Sequence, residues 1–508
     1  MDEARLRDAI AVLEQLGTNV SELAEVDDAL RRRLVVAAGQ LSRPDRYIKK
    51  ALSKAIVREH KRARREADRA VLDQTGIRAF RREPVFRTPL PKPKEPLDEP
   101  VRDNEGEPDD WAAAEAQRSE PRVETPRHCY VCKADFHALH HFYDQMCEPC
   151  AELNWAKREQ TADLRGRVAL VTGARVKIGY QAAIKLLRAG ADVIVATRFP
   201  RDAARRFARE QDASEWMSRL KIYGVDLRHT PSVELLCQHL LRTLTRLDAL
   251  INNACQTVRR PSGWYDHVIA AEEDPWTSLP APERAMLELD RSLREGLVRA
   301  GEIQGAGLWK SAVLSQVPLL AEDLERGGHL YPAGRLDADL QQVDLRDFNS
   351  WRMTLAEVPI AELLEVHLVN AVAPFVLNAR LRPLLAAVPT RDAHVVNVSA
   401  MEGQFYRRWK TDKHPHTNMA KAALNMMTRT SAADYVRDGV HMNSVDTGWV
   451  TDEDPAVFAA RKTEVHGFHP PLDIVDGAAR IVDPWLSGVN TGENVWGLFL
   501  KDYKPTPW

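Results

Sequence analysis

The stretch ADLRGRVALVTGARVKIGYQAAIKLLRAGADVIVATR, Ala162–Arg198, decides the fold. Val168 to Val171 read as a strand buried on both faces, being a continuous apolar run. The chain then turns at Gly173 and Gly179, continues as a helix, and enters a second apolar strand that ends at Thr197. Strand, glycine turn, helix and strand make one β-α-β unit whose turn aims helix N–H groups at a pyrophosphate. Gly173 permits the sharp turn, and Gly179 lets the helix pack closely on the sheet. A glycine turn by itself also occurs in proteins with no ligand there, so further markers are needed.

Those markers stand in order along the chain. Asp226 follows the third strand, and Asn252-Asn253-Ala254 follow the fourth. Asn370 lies in VHLVNAVAPF, Ser399 ends the strand VVNVS, Lys421 lies in TNMAKAALN, and Thr447-Gly448 follow MNSVD. Together with the turn from Thr172-Gly173 to Gly179, these residues carry a resemblance to the short-chain dehydrogenase/reductase family. The resemblance covers about Leu164 to Trp508, less one large insertion at about 256–348. It implies an α/β fold, a Rossmann-like doubly wound parallel sheet, and hydride transfer between a nicotinamide cofactor and a carbonyl or alcohol. The implied cofactor site comprises Gly173, Arg175, Lys177, Ile178, Gly179, Arg198, Asp226, Asn253, Lys421, Thr447 and Gly448. In the family the serine, here Ser399, orients the substrate oxygen, the lysine, here Lys421, holds the nicotinamide ribose, and the asparagine, here Asn370, supports a proton relay.

Three departures from the family pattern bear on function. Its middle glycine is replaced by Lys177, which with Arg175 could bring positive charge to phosphate; the alternative is a remodelled turn that binds cofactor weakly or not at all. The second strand ends in ATRFP, with Thr197 where an acidic residue would bond a ribose 2′-hydroxyl and Arg198 directly after it, which favours NADP(H) over NAD(H). The family's Tyr-x-x-x-Lys reads Thr417-Asn418-Met419-Ala420-Lys421. An aliphatic hydroxyl has far too high a pKa to act as the acid near neutrality, and general acid catalysis is worth about 10²- to 10⁴-fold. The segment Glu402–His416 is longer than the family's serine-to-tyrosine spacing and offers substitutes: Tyr406 first, then His416, with His414 beside it. Against each stands the reading of a loop residue at the site's mouth.

A second signal lies upstream. Cys129 and Cys132, then Cys147 and Cys150, form two Cys-x-x-Cys pairs that can each clamp one edge of a tetrahedral ion. Four thiolates leave no open coordination position, so a structural Zn²⁺ site is expected, with two disulfides as the competing reading. His137, His140 and His141 lie between the pairs and read as surface or packing residues.

The chain divides into a helical N-terminal region (1–83), a proline-rich acidic linker (84–127), the four-cysteine module (128–160) and the dehydrogenase-like domain (161–508). Leu6, Ile10, Leu13 and Leu16 recur at helical spacing and predict a small helical domain. From Arg31 to Arg82 there are 17 Lys and Arg against 5 Asp and Glu, a difference of +12. Such a stripe could bind nucleic acid, but no aromatic residues interleave it, and a solvated helix is favoured. The whole chain is near neutral, with 71 Lys and Arg against 73 Asp and Glu. No stretch approaches the roughly 20 apolar residues of a membrane span, so a soluble, cytoplasmic protein without a membrane partner is expected. A small-molecule substrate follows from the resemblance, as does a homo-oligomer, for which Met419, Met426 and Met427 are contact candidates. The insertion is expected beside the substrate crevice, as a lid or an oligomer contact.

Overall fold

The computed structural model describes residues 2–91, 121–325, 327–406 and 410–508. Most of the expected linker, residues 92–120, lies outside the described residues. Its two ends are ordered: Phe86 donates its N–H to Ala338 O and Thr88 its hydroxyl to Glu210 Oε1, forming an extended strap, while Arg122–His128 is a strand of the cysteine module.

Ten strands are described. β1 (Arg122–His128) and β2 (Asp135–Ala138) make a two-stranded antiparallel sheet. The main sheet holds β3 (Val168–Thr172), β4 (Asp192–Thr197), β5 (Leu220–Gly224), β6 (Ala249–Asn252), β7 (Ala393–Ser399), β8 (Val440–Asp446), β9 (Phe499–Lys501) and β10 (Lys504–Thr506). Their order is β10-β9-β8-β7-β6-β3-β4-β5, parallel throughout except for β10. The chain winds from β3 out to β5, returns to β6, and then winds out the other way, so the order reverses between β3 and β6. Ligand crevices open at the carboxyl ends of strands beside such a reversal.

Alternation along β3 explains the two core layers. Ala169 and Val171 face the helices Lys177–Arg188 and Ile474–Thr491, whereas Leu170 faces Thr230–Thr243 and Ala373–Ala386. Both faces are covered, which is why β3 and β4 read as largely apolar runs. The stretch Ile360–Ala386 is long and apolar enough to cross a membrane, contrary to the sequence expectation, but its Leu377, Leu381 and Leu385 are buried in the second layer.

A buried polar network sets the helix that carries Thr417 and Lys421, Pro415–Tyr435, against the sheet. Asn252 Nδ2 donates to Asn378 Oδ1 and Asn397 Oδ1, each at 2.8 Å, Asn397 Nδ2 donates to Thr428 Oγ1 at 2.9 Å, and Ser444 Oγ donates to the same hydroxyl at 2.9 Å. Such a network fixes one register, because a slip would leave several buried polar groups unpaired.

His394, fully buried in β7, is held neutral: burial pushes its pKa down to about 4, although Nε2 pairs with Asn494 Oδ1 at 2.9 Å. The unfolded chain binds this proton near 6.5, so stability is full above that value and falls as pH drops toward 4. Between about pH 7 and about pH 5 this residue accounts for an expected loss of about 2 kcal/mol. Urea unfolding of His394→Gln at the two pH values should show a pH dependence smaller by about that amount.

The insertion packs on the β4–β5 edge. Helix Ala281–Arg299 lies along β5, Asp290 Oδ1 accepts the Gly224 N–H at 2.8 Å, and Arg206 donates to the Asp339 and Leu340 carbonyls. The insertion's Arg260, Trp264, Tyr265 and Gln341 wall the crevice, the side expected of it.

The N-terminal helices Glu3–Thr18, Asp28–Ser42 and Arg46–Leu72 form a separate unit. The first two helices bury no residue, and Leu6, Ile10 and Leu13 stay exposed.

Candidate functional site

At the carboxyl ends of β3 to β8 lies a cavity of about 880 Å³. Every cofactor position expected from the sequence lines it: Gly173, Arg175, Lys177, Ile178, Gly179, Arg198, Asp226, Asn253, Lys421, Thr447 and Gly448. Ser399 and Thr417 line it as well.

The turn after β3 is tight. Gly173 has φ +68°, and a Cβ there would stand 2.7 Å from Ala254 Cα. At Gly179 a Cβ would overlap Asn253 Nδ2 and stand 2.7 Å from the Gly173 carbonyl. Asn253 serves the turn itself, its Nδ2 donating to Thr172 O at 3.0 Å and Gly173 O at 3.2 Å. Lys177 takes the left-handed conformation (φ +56°) that the family's glycine would adopt freely, and so begins the helix Lys177–Arg188. No side chain caps that helix, leaving its first N–H groups and its positive dipole end to an anion.

At the β4–β5 end the two arginines differ. Arg175 is buried and committed, donating to Asp202 Oδ2 at 2.6 Å and Gln341 Oε1 at 2.8 Å. Its guanidinium is thus held by protein groups, in contrast to the expectation that it faces a phosphate freely, although it shares the Asp202 carboxylate with Arg206. Arg198 lies over the Tyr265 ring at 4.9 Å and donates to the Tyr265 hydroxyl at 2.8 Å, so its charge is not cancelled by that partner. Burial would raise the Asp226 carboxyl, but Arg228, 2.7 Å away, outweighs it and holds the pKa below the usual range.

At the β7–β8 end, register pairs Ser399 with Asp446, which brings the serine beside the Thr447–Gly448 turn. Ser399 Oγ and Thr417 Oγ1 are buried and have no hydrogen-bond partner. Lys421 is buried one helical turn after Thr417, and its Nζ donates to Val398 O at 2.8 Å. An ammonium has three N–H donors, so two remain for a ligand.

The substitutes for the missing tyrosine do not reach this site. Tyr406 is 82% exposed and outside the cavity wall. His416 is buried behind the wall, and burial, with His414 and His367 nearby, pushes its pKa down to about 4, so it carries no proton to give at neutrality. Asn370 is likewise outside the wall. It sits in a π-helical turn, Leu368–Val372, accepting the Gln256 N–H at 2.8 Å and donating to Gln256 O at 3.2 Å, which anchors the root of the insertion.

The four cysteine sulfurs lie within 4.8 Å of one another, none in a disulfide. Sulfurs about 2.3 Å from a tetrahedral zinc stand about 3.8 Å apart, so the cluster fits that ion. Burial raises the Cys129 thiol, but N–H groups of Cys147, Cys132 and Val131 outweigh it and bring the pKa to about 7, while burial and the neighbouring Cys147 push Cys150 up. One thiolate thus forms readily and the next is opposed, the situation a divalent cation relieves. His140 accepts the Phe142 N–H at Nδ1 and reads as packing, as expected.

The module is clamped to the Rossmann-like unit. Arg158 donates to Asp473 at 2.6 Å and Asp476 at 2.9 Å, Tyr143 donates to Asp476 at 2.5 Å, and Asp144 pairs with Arg78 and His469. Tyr130 and Lys133, from the first cysteine loop, line the cavity. Sequence reasoning missed them, along with Lys501, Tyr265 and Gln341; only the closeness of the module to Ala162 hinted at the first two.

Among known proteins, the short chain dehydrogenase family profile matches residues 167–269, and the Enoyl-(Acyl carrier protein) reductase profile matches residues 339–466. An uncharacterized protein of Acanthamoeba polyphaga mimivirus is 31% identical over 369 residues, covering 70% of this chain and 71% of that one. Retinol dehydrogenase 14 of Homo sapiens is 37% identical over 103 residues, which cover 18% of this chain and 31% of that protein. A Pseudomonas aeruginosa structure described as an RhlG/NADP active-site complex aligns with a TM-score of 0.41 at 18% identity, covering 67% of this chain and 95% of that one. With the doubly wound sheet, the glycine turn and the ordered Asn, Ser and Lys positions, the profile matches on both sides of the insertion support a place in the short-chain dehydrogenase/reductase family.

Proposed function

We propose that the protein is an NADP(H)-dependent oxidoreductase acting on a carbonyl or alcohol. The carrying observation is that the phosphate turn, the Arg198 wall and the Ser399–Lys421 corner open into one cavity. The uncapped helix end at Lys177 would receive the pyrophosphate, Arg198 a 2′-phosphate, and Lys421 the nicotinamide ribose. When bound, the nicotinamide supplies or accepts hydride. Ser399 Oγ, buried and unpartnered, would hold the substrate oxygen, and Thr417 Oγ1 beside it would orient but not protonate that oxygen near neutrality. The four cysteines would hold a structural Zn²⁺.

A second reading is favoured by one observation, that the position one helical turn before Lys421 in the cavity wall carries Thr417 and no phenol. On this reading the chain binds a nucleotide as a scaffold or sensor without turning it over.

Fluorescence titration with NADPH and NADH tests the binding both readings need. NADPH should bind more tightly than NADH, and Lys421→Ala should weaken it by about 10- to 100-fold, as for a lost charge-assisted hydrogen bond. No binding of either nucleotide would sink both readings. Binding without consumption of NADPH across a carbonyl panel would select the second.

A further inference from the structure

We propose that the cysteine module braces the Thr447–Gly448 turn through both of its cysteine pairs, so that the metal and the nucleotide each strengthen binding of the other; this rests on the nucleotide reading above. The turn is where β8 gives way to the cavity wall, and Thr447 and Gly448 line the proposed nucleotide cavity. Gly448 has φ +74°, and its N–H donates to Asp446 Oδ1 at 2.8 Å. The next N–H, that of Trp449, donates to the phenol of Tyr130 at 3.0 Å.

Tyr130 stands between the metal-ligand positions Cys129 and Cys132. Its ring is flanked by two ammonium groups, Lys133 at 5.2 Å and Lys501 at 5.3 Å, and a Cβ on Gly448 would come within 3.3 Å of its hydroxyl. The first cysteine pair therefore reaches the turn through one hydrogen bond. The second pair reaches the same turn through two side chains. Asn154 donates its Nδ2 to the Cys150 carbonyl at 2.7 Å and accepts from Arg480 Nη2 at 2.6 Å, and the buried Arg480 guanidinium, with Leu472, backs directly onto Gly448. Arg480 has no slack to follow a moving loop, being held also by Asp476 O at 3.0 Å and Asp502 Oδ1 at 3.1 Å.

Loss of the ion would free both cysteine loops, and with them Tyr130 and Asn154. The turn would then fluctuate, and ordering it again on nucleotide binding would oppose that binding. Linkage requires the converse: a nucleotide that orders the turn must tighten the metal by the same factor.

The test uses the full-length, zinc-loaded protein, with NADPH and a chromogenic zinc chelator as probes. Phenylalanine keeps the Tyr130 ring but cannot accept the Trp449 N–H, so Tyr130→Phe should weaken NADPH by about fivefold, the worth of one ordinary hydrogen bond, with little change in thermal midpoint. In the parent, saturating NADPH should tighten zinc against the chelator. In a Tyr130→Phe/Asn154→Ala variant that still binds both ligands, NADPH should leave zinc affinity unchanged, an outcome that general stabilisation by ligand would not produce. If NADPH binds parent and variants alike and zinc affinity ignores it, the brace is overturned while the oxidoreductase reading stands. If NADPH binds none of them, the cavity assignment itself falls, and the brace with it.

Discussion

Replacing Thr417 by tyrosine is expected to raise turnover of a carbonyl substrate by about 10²- to 10⁴-fold, the usual worth of a placed general acid. Position 417 lies one helical turn before Lys421 on the face that lines the cavity, with Ser399 in the same wall. The Thr417 hydroxyl has no partner, so its removal breaks no hydrogen bond. The cavity of about 880 Å³ offers room for a ring. A phenol there would sit near the Lys421 ammonium, and a neighbouring positive charge lowers a phenol's pKa toward neutrality. The measurement is NADPH consumption over a panel of carbonyl compounds, parent against Thr417→Tyr, with nucleotide affinity followed in parallel. Unchanged turnover at unchanged affinity would mean that proton supply does not limit this site. Fast turnover already present in the parent would mean that another group supplies the proton.

Stripping the metal is expected to be the most disruptive change to the fold. The module's β1 and β2 are only a two-stranded sheet, and such a hairpin is marginal by itself in water. A four-thiolate zinc contributes about 10–16 kcal/mol of binding free energy that is also folding free energy. Its loss should melt residues 122–159 and open the buried contacts of Arg158 with Asp473 and Asp476. Leaving either side of such a buried pair without its partner costs about 3–5 kcal/mol. Hydrogen exchange across residues 122–159 should rise sharply after chelation, the thermal midpoint should drop, and added zinc should reverse both. Protein that contains no metal by elemental analysis and exchanges identically with and without chelator would exclude the ion.

What the sequence disclosed and what it withheld follow one physical line. β3 and β4 are covered on both faces, so each is a largely apolar run that can be read without knowing its neighbours. Gly173 and Gly179 likewise answer to local demands, a left-handed φ in one case and close packing in the other. Side chains whose role depends on a distant partner were not legible. Arg175 looked free for a phosphate because Gln341, one of the groups that hold it, comes from the insertion. Tyr406 was nominated from loop length alone, and length does not say which way a loop folds. Tyr130 reads in sequence as filler between two ligands, and only the docking of its module turns it toward the cavity. The N-terminal helices show the opposite limit. Their periodicity predicts helices correctly, but periodicity cannot say whether anything covers the apolar stripe.

The helix Ala281–Arg299 along β5 has a bearing on how the chain avoids clumping. β5 is the last strand on its side of the sheet, and its sequence LKIYG, with a β-branched and an aromatic residue side by side, has the composition that recruits a stray strand from another molecule. At the opposite rim β10 is short and charged at Lys504, a common way to blunt an edge. The β5 rim is longer than β10 and has one lysine of its own, Lys221. The insertion supplies the cover, which makes it as much a guard on the chain's solubility as a wall of its cavity.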